Sequence, residues 1–274
     1  MGGGETARDG APAAFQQPAL SVRGFARNYG ETVAVADLSF EVGAGEILGL
    51  VGPNGAGKTT TLRSIAGVLP MQAGTVEVAG HDIARAEVAA KQALAWVPDE
   101  PRPFDVLTVE EHLEFTAALY GLGEWRGRAD ELIERFELTE KRGVVGAELS
   151  RGMRQKLACC CAWLSRPQVL LMDEPLSGLD PRGIRAAKRA IAELAASGTA
   201  VVLSSHLLDL IEELAGRLLI LDRGRGLFLG SLREARERVT DGAHASLEEV
   251  FLSITGEGSA PSASTDGGLD GAGE

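Results

Sequence analysis

The sequence predicts an α/β fold with a mostly parallel sheet and a helical lobe set into it. Two observations carry this. Short apolar runs of core-strand length alternate with amphipathic helical runs, the pattern of strand–helix–strand units with helices on both sheet faces. Residues 107–164 break that alternation and read as helical throughout.

Four runs read as buried strands: "EILGLVG" (46–52), "VLLMDEP" (169–175), "AVVLSSH" (200–206) and "RLLILDRG" (217–224). They are apolar at consecutive positions, as expected when both faces of a sheet are covered. Weaker β stretches at 20–42 and 74–80 flank the first of them, and "DRGRG" between Leu221 and Leu227 reads as a hairpin turn. Helical runs cover 184–197 and 207–216. Within the helical block, starts are expected at Thr108, in a capping box with Glu111, and at Ser150. Residues 1–18 are rich in Gly, Ala and Pro and read as a disordered leader. Residues 256–274 read the same way and carry Glu257, Asp266, Asp270 and Glu274 with no Lys or Arg. One domain is expected over 19–255, with its helical part over about 100–165.

Hydrophobic residues make up 45% of the chain, enough for a sizeable core, and the net charge is −12. That sign argues against a nucleic-acid backbone as the main partner. No apolar run approaches the roughly 18 residues that span a bilayer, and residues 1–19 lack the apolar segment of a secretory signal. Cys159, Cys160 and Cys161 are consecutive. Neighbours on a helix point about 100° apart and cannot converge on one metal, so they read as small core residues.

"GPNGAGKTT" (52–60) follows a buried strand and precedes a helix, the context that a phosphate-binding loop requires. Its glycines let successive N–H groups face phosphate oxygens; Lys58 reaches the β- and γ-phosphates, and the Thr59 hydroxyl suits Mg²⁺. "VLLMDEP" ends in two carboxylates at the carboxyl end of a strand, where open α/β sheets bind ligands. Asp173 is placed for Mg²⁺ and Glu174 for polarising a water. His206 ends the next strand on the same rim and is a candidate donor to a γ-phosphate. "LSRGM" (149–153) starts a second helix suited to an anion, with Ser150 as the cap and Gly152 leaving the backbone bare.

A phosphate loop, a strand ending Asp-Glu-Pro, "SGLD" after it, and "LSRGM" before it together resemble the ATP-binding subunit of an ABC transporter, over about residues 20–255. The resemblance implies a P-loop NTPase (RecA-like) core with a mostly parallel sheet, an antiparallel β subdomain and an inserted α-helical subdomain. It implies hydrolysis of ATP to ADP and phosphate with Mg²⁺ as cofactor. Gly52, Asn54, Gly55, Ala56, Gly57, Lys58, Thr59 and Thr60 would hold the nucleotide, with Tyr29 stacking on adenine. Glu174, His206 and Lys58 would be catalytic; Thr59, Asp99 and Asp173 would serve the metal.

In that family two subunits pack head to tail. Ser150 and Gly152 would reach the γ-phosphate bound by the partner, and Asp180 of "SGLD" would face the opposite subunit. A second ATP-binding subunit, in the simplest case an identical copy, and a separate integral membrane permease are the implied partners. The place implied is the cytoplasmic face of the membrane, reached through the permease. "LSRGM", the carboxylate in "VPDEP" and "SLEEVFLSITG" resemble the export branch, including drug efflux. The alternative class, an ABC ATPase acting on nucleic acid or ribosomes, is disfavoured by the acidic charge, the single cassette and the lack of coiled-coil or zinc segments. Two departures stand out. Arg151 and Met153 replace a Gly and the Gln of the usual LSGGQ, and Asp99 falls where the family has a Gln.

Overall fold

The computed structural model describes residues 17–238 and 245–255. The expected leader, apart from Gln17 and Pro18, and the expected tail lie outside the described residues.

The strands are β1 (Leu20–Tyr29), β2 (Thr32–Val42), β3 (Ile47–Val51), β4 (Ala73–Val78), β5 (His81–Asp82), β6 (Leu94–Val97), β7 (Val169–Asp173), β8 (Ala200–Ser204), β9 (Arg217–Asp222) and β10 (Arg225–Ser231). They form one sheet in the order β5-β4-β1-β2-β10-β9-β3-β8-β7-β6. The pairs β9–β3, β3–β8, β8–β7 and β7–β6 are parallel, whereas β1, β2, β4 and β5 pair antiparallel. The hairpin β9–β10 joins the two parts. Its turn uses Arg223 (φ 46°) and Gly224 (φ 75°), the two positive φ values that a type I′ hairpin requires.

Burial explains the unbroken apolar runs. Every residue of β3, β7 and β8 is buried. Side chains alternate across a strand, so the two faces feed different cores. Leu48, Leu50, Val169, Leu171 and Val202 enter one cluster with Leu62 and Ile65 of α1 (Lys58–Ile65). Ile47, Val51, Leu170, Met172, Val201 and Leu203 enter the other. That second core is closed by α5 (Arg151–Leu164), α6 (Pro181–Ala196) and α7 (Leu208–Leu214), among others.

The helical block is interrupted, against the expectation of continuous helix. It holds α3 (Val109–Tyr120), α4 (Arg126–Arg135) and α5, with short 3₁₀ turns at Thr139–Lys141 and Gly146–Glu148. Gly121 at φ 64° ends α3 in the left-handed conformation, and Glu137 at φ 56° follows the end of α4. The starts fall where expected. Thr108 caps α3 in a capping box with Glu111, and Ser150 caps α5 by accepting from Met153 N–H at 3.3 Å. Each such cap contributes about 0.5–2 kcal/mol. Strand β8 stops at Ser204, so His206 lies two residues beyond it rather than in it. The short elements β6, α2 (Glu87–Gln92), α8 (Leu232–Glu237) and α9 (Leu247–Thr255) complete the elements of the described residues. Among the described residues, no helix is long and apolar enough to cross a membrane.

Trp163 of α5 ties the lobe to the sheet side. Its ring meets Phe136 edge-on at 6.1 Å, and its Nε1 donates to the Ala190 carbonyl of α6 at 3.3 Å. Cys159 and Cys160 are fully buried beside it, and Cys161 is half-buried. Burial pushes Cys159 up to about 12 and Cys161 up to about 11, and it holds Cys160 well above the ordinary thiol value. At pH 8 a thiol of pKa about 11 is only about one part in a thousand thiolate. Iodoacetamide at that pH should therefore leave Cys159 and Cys160 unmodified in the folded protein, label Cys161 slowly, and add three adducts in denaturant. Rapid native labelling of Cys159 or Cys160 by mass spectrometry would contradict this packing.

Candidate nucleotide site

The phosphate loop joins β3 to α1, and steric limits fix its shape. A Cβ on Gly52 would lie 2.4 Å from the Leu221 carbonyl oxygen and 2.9 Å from Ala56 Cβ. Gly57 sits at φ 104°, and a Cβ there would lie 2.6 Å from the Ala34 carbonyl oxygen of β2. Only glycine fits either place. Asn54 and Gly55 are exposed at the loop's crest, and Ala56 is buried beneath it.

Helix α1 starts with no side-chain cap and no acidic residue in its first turn. The first N–H groups of a helix have no partner inside it. Here they add their partial positive charge to that of Lys58. Lys58 Nζ arches back to donate to the Gly52 and Pro53 carbonyls at 2.7 and 3.2 Å. Burial lowers the Lys58 ammonium from its ordinary value, while the nearby charges of Glu174 and Asp173 oppose that shift. Thr59 is exposed on the first turn and Thr60 is half-buried behind it.

The acids come from the adjacent parallel strands. Asp173, 2% exposed, ends β7 and accepts from Ser204 Oγ of β8 at 2.5 Å. Their register pairing, Asp173 with Ser204, sets that contact. Glu174 takes φ 48°, an uncommon conformation for a side chain of its size, and donates its N–H to the Ser204 carbonyl at 3.0 Å. Its Oε2 accepts from His206 Nδ1 at 2.7 Å and from Ser205 Oγ at 3.3 Å. A carboxylate offers only acceptors, so the proton lies on Nδ1. Lys58, Asp173, Glu174 and His206 thus converge at the carboxyl ends of three neighbouring strands, β3, β8 and β7.

The remaining candidates lie elsewhere. Tyr29 ends β1, 48% exposed, with the Arg27 guanidinium 5.1 Å from its ring centre. Ser150 is exposed at the start of α5. Gly152 packs so closely on the loop 176–180 that a Cβ would lie 2.6 Å from the Gly178 carbonyl oxygen. Asp180 caps α6 by accepting from Gly183 N–H at 2.8 Å and pairs with Lys156 at 3.6 Å. The Gly183 hydrogen bond first, and the Lys156 charge with it, hold its carboxyl below the usual range. Asp99, after β6, pairs with Arg151 Nη2 at 3.3 Å. Among the described residues, no hydrogen bond joins Ser150, Asp99 or Asp180 to Lys58, Asp173 or Glu174. Sequence reasoning missed Ser204 and Ser205, which position the two acids. Two hydroxyls closing an otherwise apolar strand, "VVLSSH", were the available signal.

A divalent ion suits this donor set. No three His, Cys, Asp or Glu residues among those described lie close enough to hold one. Mg²⁺ typically takes one or two carboxylates and completes its shell with phosphate oxygens and water. Asp173, held in place by Ser204, and Thr59 on the uncapped helix start match that habit.

A profile of the ABC transporter family matches residues 35–177, just over half of the chain. The chain is 33% identical over 240 residues to the ABC-type transporter ATP-binding protein EcsA of Bacillus subtilis, covering 87% of this chain and 97% of that one. It is 35% identical over 220 residues to the daunorubicin resistance ATP-binding protein DrrA3 of Streptomyces coeruleorubidus, covering 80% and 70%. It is 36% identical over 225 residues to the Nod factor export ATP-binding protein I of Ralstonia nicotianae, covering 81% and 70%. A solved ATP-binding subunit of an ABC transporter superposes with a TM-score of 0.83 at 33% identity, over 86% of this chain and 99% of that chain. A phosphate loop built this way, in a sequence that matches nearly the whole of EcsA, leaves one assignment: the chain belongs to the ABC transporter family, among its ATP-binding proteins.

Proposed function

We propose that this chain hydrolyses ATP as one half of a head-to-tail pair and drives a separate membrane permease in an export system. One observation carries the reading. The chain has two helix starts suited to phosphate, and among the described residues no hydrogen bond joins the residues of one to those of the other. The start of α1 stands among Lys58, Asp173, Glu174 and His206, whereas Ser150 and Gly152 open α5 beside Gly178 and Asp99. A second copy turned head to tail brings each α5 start to the other's triphosphate, with Asp180 facing across the seam.

In such a site the phosphate loop and Lys58 neutralise the triphosphate, and Tyr29 offers an exposed ring to adenine. Thr59, Asp173 and Asp99 would hold Mg²⁺, which would supply charge neutralisation to the triphosphate. Glu174 orients and polarises the attacking water. The water's oxygen bonds to the γ-phosphorus while the bond to the β–γ bridging oxygen breaks, and the water's proton passes toward Glu174. His206 in its neutral form spends its only N–H on Glu174. Donation to a γ-phosphate therefore requires the imidazolium, or release of Nδ1 from Glu174. Loss of the γ-phosphate removes the group that both copies touch, and the seam opens.

The permease surface proposed is the groove between the loop after β6 and the helices α3 and α5, lined by Trp96, Pro98, Pro103, Tyr120, Arg154 and Cys161. Trp96 Nε1 and Arg154 Nε are buried beneath it with no hydrogen-bond partner among the described residues. Phe104, 55% exposed, stands at the rim against His112 and Phe115. Leu107 nearby is half-buried, and Val106 is exposed. The position is peripheral, on the cytoplasmic face. The relatives named for drug resistance and Nod factor export support the direction.

Three outcomes test this. Glu174→Gln should bind ATP, accumulate as a dimer on size-exclusion chromatography, and turn over about 10²–10⁴-fold more slowly. A monomer with full turnover would contradict it. Lys58→Ala and Ser150→Arg should each be inactive alone, yet mixing them should restore part of the activity, since one of the two shared sites is then intact; no recovery sinks the head-to-tail pairing. Phe104→Asp should lose co-purification with the permease while binding ATP normally.

A further inference from the structure

One imidazole holds the rim of the proposed permease groove. His112 of α3 is 6% exposed, and both of its ring nitrogens are engaged. Nδ1 lies 2.7 Å from the Thr108 carbonyl oxygen, and Nε2 lies 2.9 Å from the Phe104 nitrogen. A carbonyl only accepts and an amide nitrogen only donates. The two partners therefore dictate one state: a neutral ring with its proton on Nδ1, taking the Phe104 N–H on the lone pair of Nε2. The Phe104 ring also stacks on the imidazole, centres 5.9 Å apart, and meets Phe115 edge-on at 5.3 Å. The Phe104 carbonyl accepts from Leu107 N–H at 3.3 Å and sits so close to Gly146 that a Cβ there would lie 2.3 Å away.

A second proton conflicts with this arrangement. Added to Nε2, it would set one N–H against another, two donors facing each other at hydrogen-bond distance. Nδ1 keeps its bond to Thr108 in either state, so the loss falls on Phe104. Histidine is the side chain whose ordinary charge change falls between about pH 5 and 8. The charged groups on the segments around the ring are Arg102 and Asp105 on the loop, Glu110 and Glu111 on α3, Arg142 and Glu148 on the stretch that bonds to Glu110 and Leu107, and Arg154 on α5. Among the described residues no carboxylate lies within ion-pair reach of the imidazole. The Glu111 carboxylate is spent on the Thr108 N–H and hydroxyl, at 2.7 and 2.8 Å. Those bonds first, and the His112 charge with them, hold it below its usual range.

We propose that His112 is a proton-operated latch on the Phe104 segment: neutral, it holds the rim of the groove in place, and protonated, it lets the rim go. Pro101, Arg102 and Pro103 line the groove together with Cys161 of α5, so release of Phe104 opens that side. The exposed Phe104 ring loses its fixed backing at the same time. Docking at this surface is thereby favoured at neutral pH and weakened as pH falls. That bearing on a permease rests on the docking reading given above. The latch itself does not, and it is read in the chain alone.

Two readouts on the full chain, without partner or nucleotide, test it. At about pH 8 the ring nitrogen NMR shifts should show His112 as the Nδ1–H tautomer; the Nε2–H tautomer overturns the latch. Cys161 supplies the second readout. Its rate with 4,4′-dithiodipyridine is measured at about pH 8 and about pH 5.5 in the parent and in His112→Gln, whose amide oxygen can accept the Phe104 N–H but takes up no proton. Dividing parent by variant at each pH removes the thiol's own ionisation. The quotient should stand near one at the higher pH and rise about two- to tenfold at the lower, the factor that one hydrogen bond is worth. His112→Leu, which has no acceptor, should show that rise over His112→Gln already at the higher pH. A quotient equal at both pH values overturns the proposal, whether both rates climb or neither does. A flat quotient beside lost co-purification in Phe104→Asp would sink the latch and leave the docking surface standing; a rising quotient with co-purification kept would do the reverse.

Discussion

The parallel register of β3, β8, β7 and β6 is the constraint on which the site depends. Parallel neighbours start and stop together, and side chains two faces deep hold them in place. When the strands end, their next residues emerge along one rim. Lys58 follows β3, Glu174 follows β7, His206 follows β8 and Asp99 follows β6, and Asp173 is paired in register with Ser204. A slip of one residue in any pair would turn its core side chains to the opposite face and carry the rim residue out of place.

Electrostatics at the rim are balanced rather than simply positive. A buried Lys58 is disfavoured as a cation, yet Glu174 and Asp173 oppose that effect, and carbonyls of the loop accept its protons. The uncapped start of α1 leaves backbone donors without local acceptors. A triphosphate supplies what this arrangement lacks, acceptors facing donors and negative charge facing Lys58. Glu174 is kept at a positive φ by backbone and side-chain bonds to Ser204, Ser205 and His206, so its carboxylate is fixed before any substrate arrives.

The helical lobe acts on that rim through α5. Trp163 and Phe136 anchor the far end of the helix, while Gly152 presses its start against the Gly178 carbonyl. Between them Arg151 and Gln155 fasten the loop after β6. The groove between that loop and the helices α3 and α5 is lined in part by the same segment, at Pro98.

Sequence by itself determined the α/β class, the buried strands, the phosphate loop, the caps at Thr108 and Ser150 and the β9–β10 turn. Each of these is a local matter: periodicity, a cap residue, or a glycine that must take positive φ. The breaks inside residues 107–164 were less legible, because Gly121 and Glu137 end helices in a stretch whose composition favours helix throughout. The short strand β6 was passed over, since four residues carry too little pattern. Tertiary structure alone decided that His206 and Ser205 grip Glu174, that Ser204 grips Asp173, and that Arg151 reaches Asp99 and Ser177. Those partners lie 26 to 52 residues apart in the chain. Nothing in local sequence encodes such a meeting; it follows only when strand order and helix packing bring separate chain segments to one edge.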